Sequence, residues 1–175
     1  MPLMDADASQ LVLIDYQERL MPAIDGGEAG VAAARRLALA AAVLGVPVLR
    51  TEHCPNNLGP TVAPLAGVGV AVEKTAFGAC ATPAFAAALS GRQLVVAGCE
   101  THVCVLQTVL GLRERGRAVF VVADACGSRL PASGRFGLKR MAQAGAEIVT
   151  AEMVLFEWLA DAAHPRFRDI LKLIR

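Results

Sequence analysis

The sequence has few aromatic residues, no excess of either charge and no long uninterrupted hydrophobic segment. Aromatic residues make up 5% of the 175 residues, and 17 Lys and Arg side chains nearly balance 16 Asp and Glu side chains, which leaves a formal net charge of +1. Because these charges are scattered along the chain, we expect neither a nucleic-acid partner nor a membrane partner. Charged residues or glycines interrupt each apolar run before it reaches the roughly 20 residues that span a bilayer.

A secretory signal and a cysteine framework are also missing. Residues 1–5 contain no basic segment followed by an apolar stretch, so we expect a cytoplasmic protein. The five cysteines form no Cys-x-x-Cys pair, and the three histidines lack zinc-finger spacing. Since a reducing compartment keeps thiols free, we expect neither a disulfide framework nor a structural zinc site.

Hydrophobic residues make up 55% of the chain, and the length suits a single domain over residues 1–175. Six short, almost continuously apolar runs are typical of strands buried on both faces; they cover 11–14, 46–49, 68–72, 94–97, 119–122 and 146–149. Helices are predicted over 28–44, 83–89, 103–115, 133–144 and 165–174, while 56–67 is predicted to be a loop. The alternation predicts a three-layer α/β fold with a parallel sheet and helices on both faces.

Reactive side chains follow three of the predicted strands. Asp15 comes after the first strand, Lys74 after the third, and Cys104 lies in the turn after the fourth. Ligands of open parallel sheets bind outside the carboxyl ends of the strands, so an acid, a cation and a thiol could converge there. This combination suits nucleophilic catalysis by a thiol.

Each of the three residues also has a structural interpretation. Cys104 in the first turn of a helix would feel the positive end of the helix dipole, which favours the thiolate, but most free cysteines are small buried hydrophobes. Asp15 could exchange a proton with the thiol, or it could only cap a helix or a turn. Lys74 could keep both other groups ionised, or it could be a solvated surface lysine.

The segments LVLIDYQ (11–17), VEKTAF (72–77) and GCETHVCVLQT (98–108) resemble the isochorismatase-like cysteine hydrolase family, in particular its small single-domain subgroup. Segments 121–126 and 140–146 are similar to a later part of that family. The resemblance implies a six-stranded parallel sheet in Rossmann-like order and a catalytic triad of Asp15 as general acid and base, Lys74 as electrostatic partner and Cys104 as nucleophile. It also implies a cis peptide bond between Cys99 and Glu100, with the backbone amides of Glu100 and Cys104 as the oxyanion hole.

The implied reaction is attack of the thiolate on an amide-like carbonyl of a small molecule, followed by hydrolysis of a thioester. Nicotinamidase-type relatives hold a metal through an Asp-x-His segment and further histidines, but His53 has no such companion in 51–57. We therefore predict no metal and no cofactor. His53, Gln17 and Phe77 are candidate walls of the substrate pocket. His102 is a doubtful base, because adjacent helix residues do not face each other.

Two other functions remain open. One is isochorismatase-type hydrolysis of a vinyl ether, in which Asp15 protonates the substrate and Cys104 takes no part. The other is a non-catalytic binding protein on the same fold. We also expect a homo-oligomer, since the late segment carries Phe156, Trp158 and Leu159, which either form an exposed subunit contact or cover the sheet of their own chain.

Overall fold

A parallel sheet of six strands forms the centre of the structure, a computed structural model that describes residues 2–174. The strands are β1 (Ser9–Ile14), β2 (Val48–His53), β3 (Val70–Lys74), β4 (Gln93–Cys99), β5 (Ala118–Gly127) and β6 (Glu147–Val149). Their order is β3-β2-β1-β4-β5-β6, and all neighbours run parallel. This arrangement confirms the predicted fold class and its Rossmann-like strand order.

Helices cover both faces of the sheet. They are α1 (Gly27–Leu44), α2 (Pro55–Leu58), α3 (Pro83–Ala87), α4 (Leu106–Glu114), α5 (Pro131–Gln143), α6 (Ala151–Leu159) and α7 (Phe167–Ile174). Alternate residues of one strand enter different cores: Leu11 and Leu13 of β1 pack with α1 and α6, whereas Val12 and Ile14 pack with α3 and α4. Burial on both faces explains why β1 and β4 are almost continuously apolar. The prediction of burial on both faces is wrong for the edge strand β3, in which only Val72 and Lys74 are buried.

The helices differ from the sequence prediction in three places. The predicted helix 103–115 is instead a π-helical turn, Thr101–Val105, followed by α4. The helix α6 was not predicted, and it buries Trp158 and Leu159 while Phe156 stays 43% exposed. An exposed contact made by all three side chains is therefore wrong, because two of them cover the sheet of their own chain. The short helix α2 was not predicted either, and the predicted loop 56–67 contains three of its four residues and a short 3-10 turn, Ala63–Leu65.

The strand order reverses between β1 and β4. The connections that follow these two strands pass to opposite faces of the sheet. Ile14 pairs with Gly98 at this point, and the φ of Gly98 is +153°. A Cβ atom at Gly98 would clash with the backbone of Ile14, so only glycine allows this approach. The approach brings Asp15, directly after β1, beside the turn that follows β4.

Candidate active site

Asp15 and Lys74 form a buried ion pair across the carboxyl end of the sheet. Nζ of Lys74 lies 2.7 Å from Oδ2 of Asp15, and the two side chains are 0% and 1% exposed. The same Nζ donates to the carbonyl oxygens of Ala76 and Phe77, each at 3.2 Å. Three acceptors therefore surround the buried ammonium, which offsets part of its desolvation.

Thr51 of β2, the strand between β1 and β3, holds the carboxylate from the side opposite Lys74. Its hydroxyl donates to Oδ1 of Asp15 at 2.6 Å, and its carbonyl oxygen accepts a hydrogen bond from the backbone N–H of Asp15 at 3.2 Å. Asp15 has a left-handed backbone with φ of +53°, which ends the strand at this residue. Thr51 was not among the predicted site residues, because β2 also carries the polar residues Arg50, Glu52 and His53 and nothing in the sequence distinguishes Thr51 from them.

The thiol of Cys104 lies against this ion pair. Cys104 belongs to the π-helical turn between β4 and α4 and is 7% exposed. Burial first, and then the charge of Asp15, raise the pKa of the Cys104 thiol to about 12, although Lys74 acts in the opposite direction. Hydrogen bonding of the thiol with both side chains contributes to the same balance. The three predicted residues therefore converge. Of the two interpretations of Cys104, its burial favours a protonated thiol at rest, because desolvation outweighs the opposing charge of Lys74.

The turn before Cys104 carries the predicted backbone donors. The peptide bond between Cys99 and Glu100 is cis. Within residues 2–174, the N–H of Glu100 donates to no protein acceptor, whereas its carbonyl oxygen accepts from the N–H groups of Val103 and Val105. The carbonyl oxygen of Glu100 thus closes the turn, while the N–H group of Glu100 is left without an acceptor among the described residues.

The three candidate wall residues lie at the β1, β2 and β3 ends. The ring centroids of His53 and Phe77 are 5.3 Å apart, and Phe77 is 53% exposed. Burial and Lys74 lower the pKa of His53, so its imidazole is neutral at pH 7. Gln17 is fully buried, and its side-chain amide donates to the carbonyl oxygens of His53 and Gly59 while its Oε1 accepts from the N–H of His53. Gln17 therefore fastens the loop after β2 instead of presenting its amide group to solvent.

A cavity of about 570 Å³ adjoins this side of the site. Its lining includes Lys74, Thr75 and Ala76 after β3, residues 54–57 after β2, and residues 81–83. A larger groove of about 1170 Å³ runs between α1 and α7 and contains none of the three convergent residues. We place the functional site beside the smaller cavity, because Lys74 lines it and both Asp15 and the Cys104 thiol contact Lys74. Within residues 2–174, no three His, Cys, Asp or Glu side chains are grouped as a metal site.

Comparison with known proteins identifies the family. A model of the isochorismatase domain matches residues 9–153. The chain belongs to the isochorismatase family. This membership confirms the resemblance seen in the sequence, and it extends over the whole region that contains the convergent acid, lysine and thiol.

Individual members of the isochorismatase family are similar over nearly the full chain. Isochorismatase domain-containing protein 2A of Mus musculus is 40% identical over 174 residues, which cover 97% of this chain and 84% of that protein. A solved structure described as the MAR1 ribonuclease from Caenorhabditis elegans has a TM-score of 0.93 and 35% identity, covering 99% of this chain and 92% of that one. An Escherichia coli protein described as an octameric hydrolase of unknown specificity has a TM-score of 0.82 and 25% identity, covering 97% and 95%.

Proposed function

We propose that this isochorismatase-family hydrolase cleaves a small amide or related acyl substrate through a thioester on Cys104. The observation that carries the proposal is the meeting of a buried thiol with the Asp15–Lys74 ion pair, whose charged atoms are 2.7 Å apart. A structural role alone gives little reason to bury two charges and a thiol together, since buried ion pairs contribute little net stability. Perturbed titratable groups in one cleft are a recognised feature of catalytic sites.

In the first half of the reaction, Asp15 acts as the general base. The Cys104 thiol is protonated at neutral pH, so its proton passes to Asp15 as the sulfur attacks the carbonyl carbon and a C–S bond forms. The carbonyl oxygen becomes an oxyanion. When it collapses, the C–N bond breaks and Asp15 returns the proton to the departing nitrogen. The products of this half are an amine or ammonia and an acyl group on Cys104.

In the second half, water releases the acyl group. Asp15 accepts a proton from the water as the water oxygen adds to the thioester carbonyl. The C–S bond then breaks, Asp15 returns this proton to the departing sulfur, and the products are a carboxylic acid and the Cys104 thiol. Lys74 remains an ammonium throughout, held by Asp15 and by the carbonyl oxygens of Ala76 and Phe77. Its charge opposes the rise of the thiol pKa and therefore assists each formation of the sulfur anion.

The backbone amides of Glu100 and Cys104 are the proposed donors to the oxyanion. The unused N–H of Glu100 supports this assignment, since an oxyanion hole needs donors that are not already bonded. The His53–Phe77 pair is the proposed wall of the substrate pocket, because it lies next to Lys74. The mechanism uses no metal and no cofactor, so it predicts that a chelator leaves the rate unchanged.

The test is ammonia release from a panel of small primary amides, including acetamide, benzamide and nicotinamide. We expect Cys104→Ala to lose at least about 1,000-fold in kcat/KM on any amide that the wild type hydrolyses. Cys54→Ala is the matched control, because Cys54 is a partly exposed thiol beside the same cavity with no part in the mechanism. Equal rates for the wild type and Cys104→Ala would overturn the nucleophile assignment.

Covalent trapping separates the proposal from the two alternatives. An acyl group on Cys104, detected by mass spectrometry of the intact protein after an acid quench, is expected only for the thioester mechanism. Hydrolysis of isochorismate that survives in Cys104→Ala but not in Asp15→Asn would instead establish vinyl ether chemistry. Saturable binding of these compounds without turnover or an adduct would establish a binding protein.

The same panel addresses partners. We propose a small-molecule substrate and no nucleic-acid partner, and the ribonuclease description of one relative makes RNA the necessary comparison. Cleavage of a fluorogenic RNA that Cys104→Ala abolishes would contradict this.

The octameric relative supports a homo-oligomer here as well, which sedimentation at micromolar concentration would test. Residues 2–174 include no helix long and apolar enough to cross a membrane.

A further inference from the structure

A second buried carboxylate lies on the other side of the nucleophile turn. The side chain of Glu100 is 9% exposed and pairs with Arg129, whose Nε lies 2.8 Å from Oε1. The backbone N–H of Arg129 donates to Oε2 of the same carboxylate at 2.9 Å. Arg129 is itself 58% exposed, so it reaches from the surface to a buried acid that the triad does not use.

Further contacts hold Arg129 in this position. The hydroxyl of Thr101 donates to the carbonyl oxygen of Gly127 at 3.0 Å, and Nδ1 of His102 lies 2.9 Å from the hydroxyl oxygen of Ser128. Nδ1 of His102 is also 4.0 Å from Oε2 of Glu100. Three consecutive residues at and after the end of β5, residues 127–129, are thus hydrogen-bonded to residues 100–102 of the nucleophile turn, and the Glu100–Arg129 pair is the charged member of this set.

The position of the Glu100 carboxylate creates an electrostatic problem for the proposed reaction. The amide of Glu100 is a proposed donor to the oxyanion, yet the same residue carries a negative charge within roughly 6 Å of that amide by covalent geometry. In a site of low dielectric, that charge opposes the negative charge that develops on the substrate oxygen. Removal of this opposition requires a positive partner that is fixed on the carboxylate.

We propose that Arg129 is a positioning residue that neutralises the Glu100 carboxylate, and thereby allows the turn between β4 and α4 to stabilise an oxyanion. The inference rests on the proposed function. It assigns the loop after β5 a role in the rate of acyl transfer, in addition to its packing against the nucleophile turn.

Two reagents that attack the same sulfur provide the test. Acylation of Cys104 by p-nitrophenyl acetate passes through an oxyanion: the C–S bond forms and p-nitrophenolate leaves. Alkylation by iodoacetamide is a direct displacement of iodide with no oxyanion. The first rate is read from the p-nitrophenolate burst corrected with Cys104→Ala, and the second from peptide mass spectrometry of Cys104. Their ratio isolates the stabilisation of the oxyanion from the reactivity of the thiol.

We expect Arg129→Gln to lower the acylation rate by about 10-fold to 100-fold and to change the alkylation rate less than about 3-fold. Arg129→Lys, which keeps the charge, should lie between Arg129→Gln and the wild type. The double variant Glu100→Gln/Arg129→Gln should regain most of the lost acylation rate, because the unpaired charge is gone. Arg166→Gln is the matched control. Arg166 lies just before α7, is 53% exposed and pairs with Asp169 in the first turn of that helix.

Each outcome decides the proposal. An acylation rate in Arg129→Gln equal to that of the wild type would overturn it. A double variant as slow as Arg129→Gln would also overturn it, because the loop geometry and not the charge would then be responsible. Equal losses of acylation and alkylation would place the effect on the thiol and reject the proposal. If wild-type Cys104 is not acylated at all, the proposed function itself fails, which is a distinguishable result.

Discussion

Replacement of Lys74 by methionine tests the ion pair at the centre of the site. Methionine has a similar length but no charge, so Asp15 would keep the hydroxyl of Thr51 and lose its cation. At a separation of 2.7 Å and an effective dielectric constant of about 20, the attraction amounts to about 6 kcal/mol. Desolvation of both groups cancels much of this, and loss of one partner of a buried pair costs about 3–5 kcal/mol. We therefore expect the free energy of unfolding of Lys74→Met to be about 3–5 kcal/mol below that of the wild type.

Urea unfolding followed by circular dichroism measures the change. The m-value, which is the slope of the unfolding free energy against urea concentration, is held the same for all variants. The double variant Asp15→Asn/Lys74→Met should regain most of the lost stability, since no unpaired charge remains. It should still not transfer an acyl group to Cys104, because the general base has been removed. Lys139→Met is the matched control on the exposed side of α5 and should stay within about 0.5 kcal/mol of the wild type. A Lys74→Met variant within about 1 kcal/mol of the wild type would refute the reasoning, as would a double variant less stable than the single one.

Two further predictions concern the groups that bond to the same carboxylate. Thr51→Val keeps the shape of the side chain but removes the 2.6 Å hydrogen bond to Oδ1 of Asp15. We therefore expect the free energy of unfolding to fall by about 1.5–3 kcal/mol and kcat to fall about 10-fold. Urea unfolding and the amide assay measure these two losses, and an unchanged kcat would show that Asp15 needs no support from β2. Because the pKa of the Cys104 thiol is raised to about 12, the thiolate fraction, and with it the rate of alkylation by iodoacetamide, should rise about tenfold per pH unit from pH 7 to 10. A plateau below pH 9 would contradict a buried, protonated thiol.

The sequence allowed prediction of the sheet and of the three convergent residues for a common physical reason. A strand buried on both faces must be apolar along its whole length, so a charged residue directly after such a run marks the strand end, as Asp15 does after β1. Lys74 is the last residue of the edge strand β3, and the order of the strands brings the two strand ends together. The resemblance of 98–108 to the family supplied the role of Cys104, which spacing alone could not distinguish from a buried hydrophobe.

The remaining features depend on pairings that lie far apart in the chain. Thr51 bonds to Asp15 because β1 and β2 are in a particular register, and a single sequence contains no signal of that register. The Glu100–Arg129 pair likewise joins residues 29 positions apart in two loops. The sequence left two interpretations of Cys104 open, because burial of the thiol depends on how α4 and the sheet pack around it, whereas only the start of the helix is visible in the sequence.

In the proposed mechanism, the attachment of the acid and the lysine to strand ends separates reactivity from selectivity. Asp15 and Lys74 lie where the sheet fixes them, while residues 81–83 line the neighbouring cavity from a connection that makes no hydrogen bond to either residue. A chimera that exchanges residues 81–83 for those of a relative should therefore accept different molecules while iodoacetamide alkylates Cys104 at the same rate. Diversification of such a scaffold needs only new connections around an unchanged sulfur.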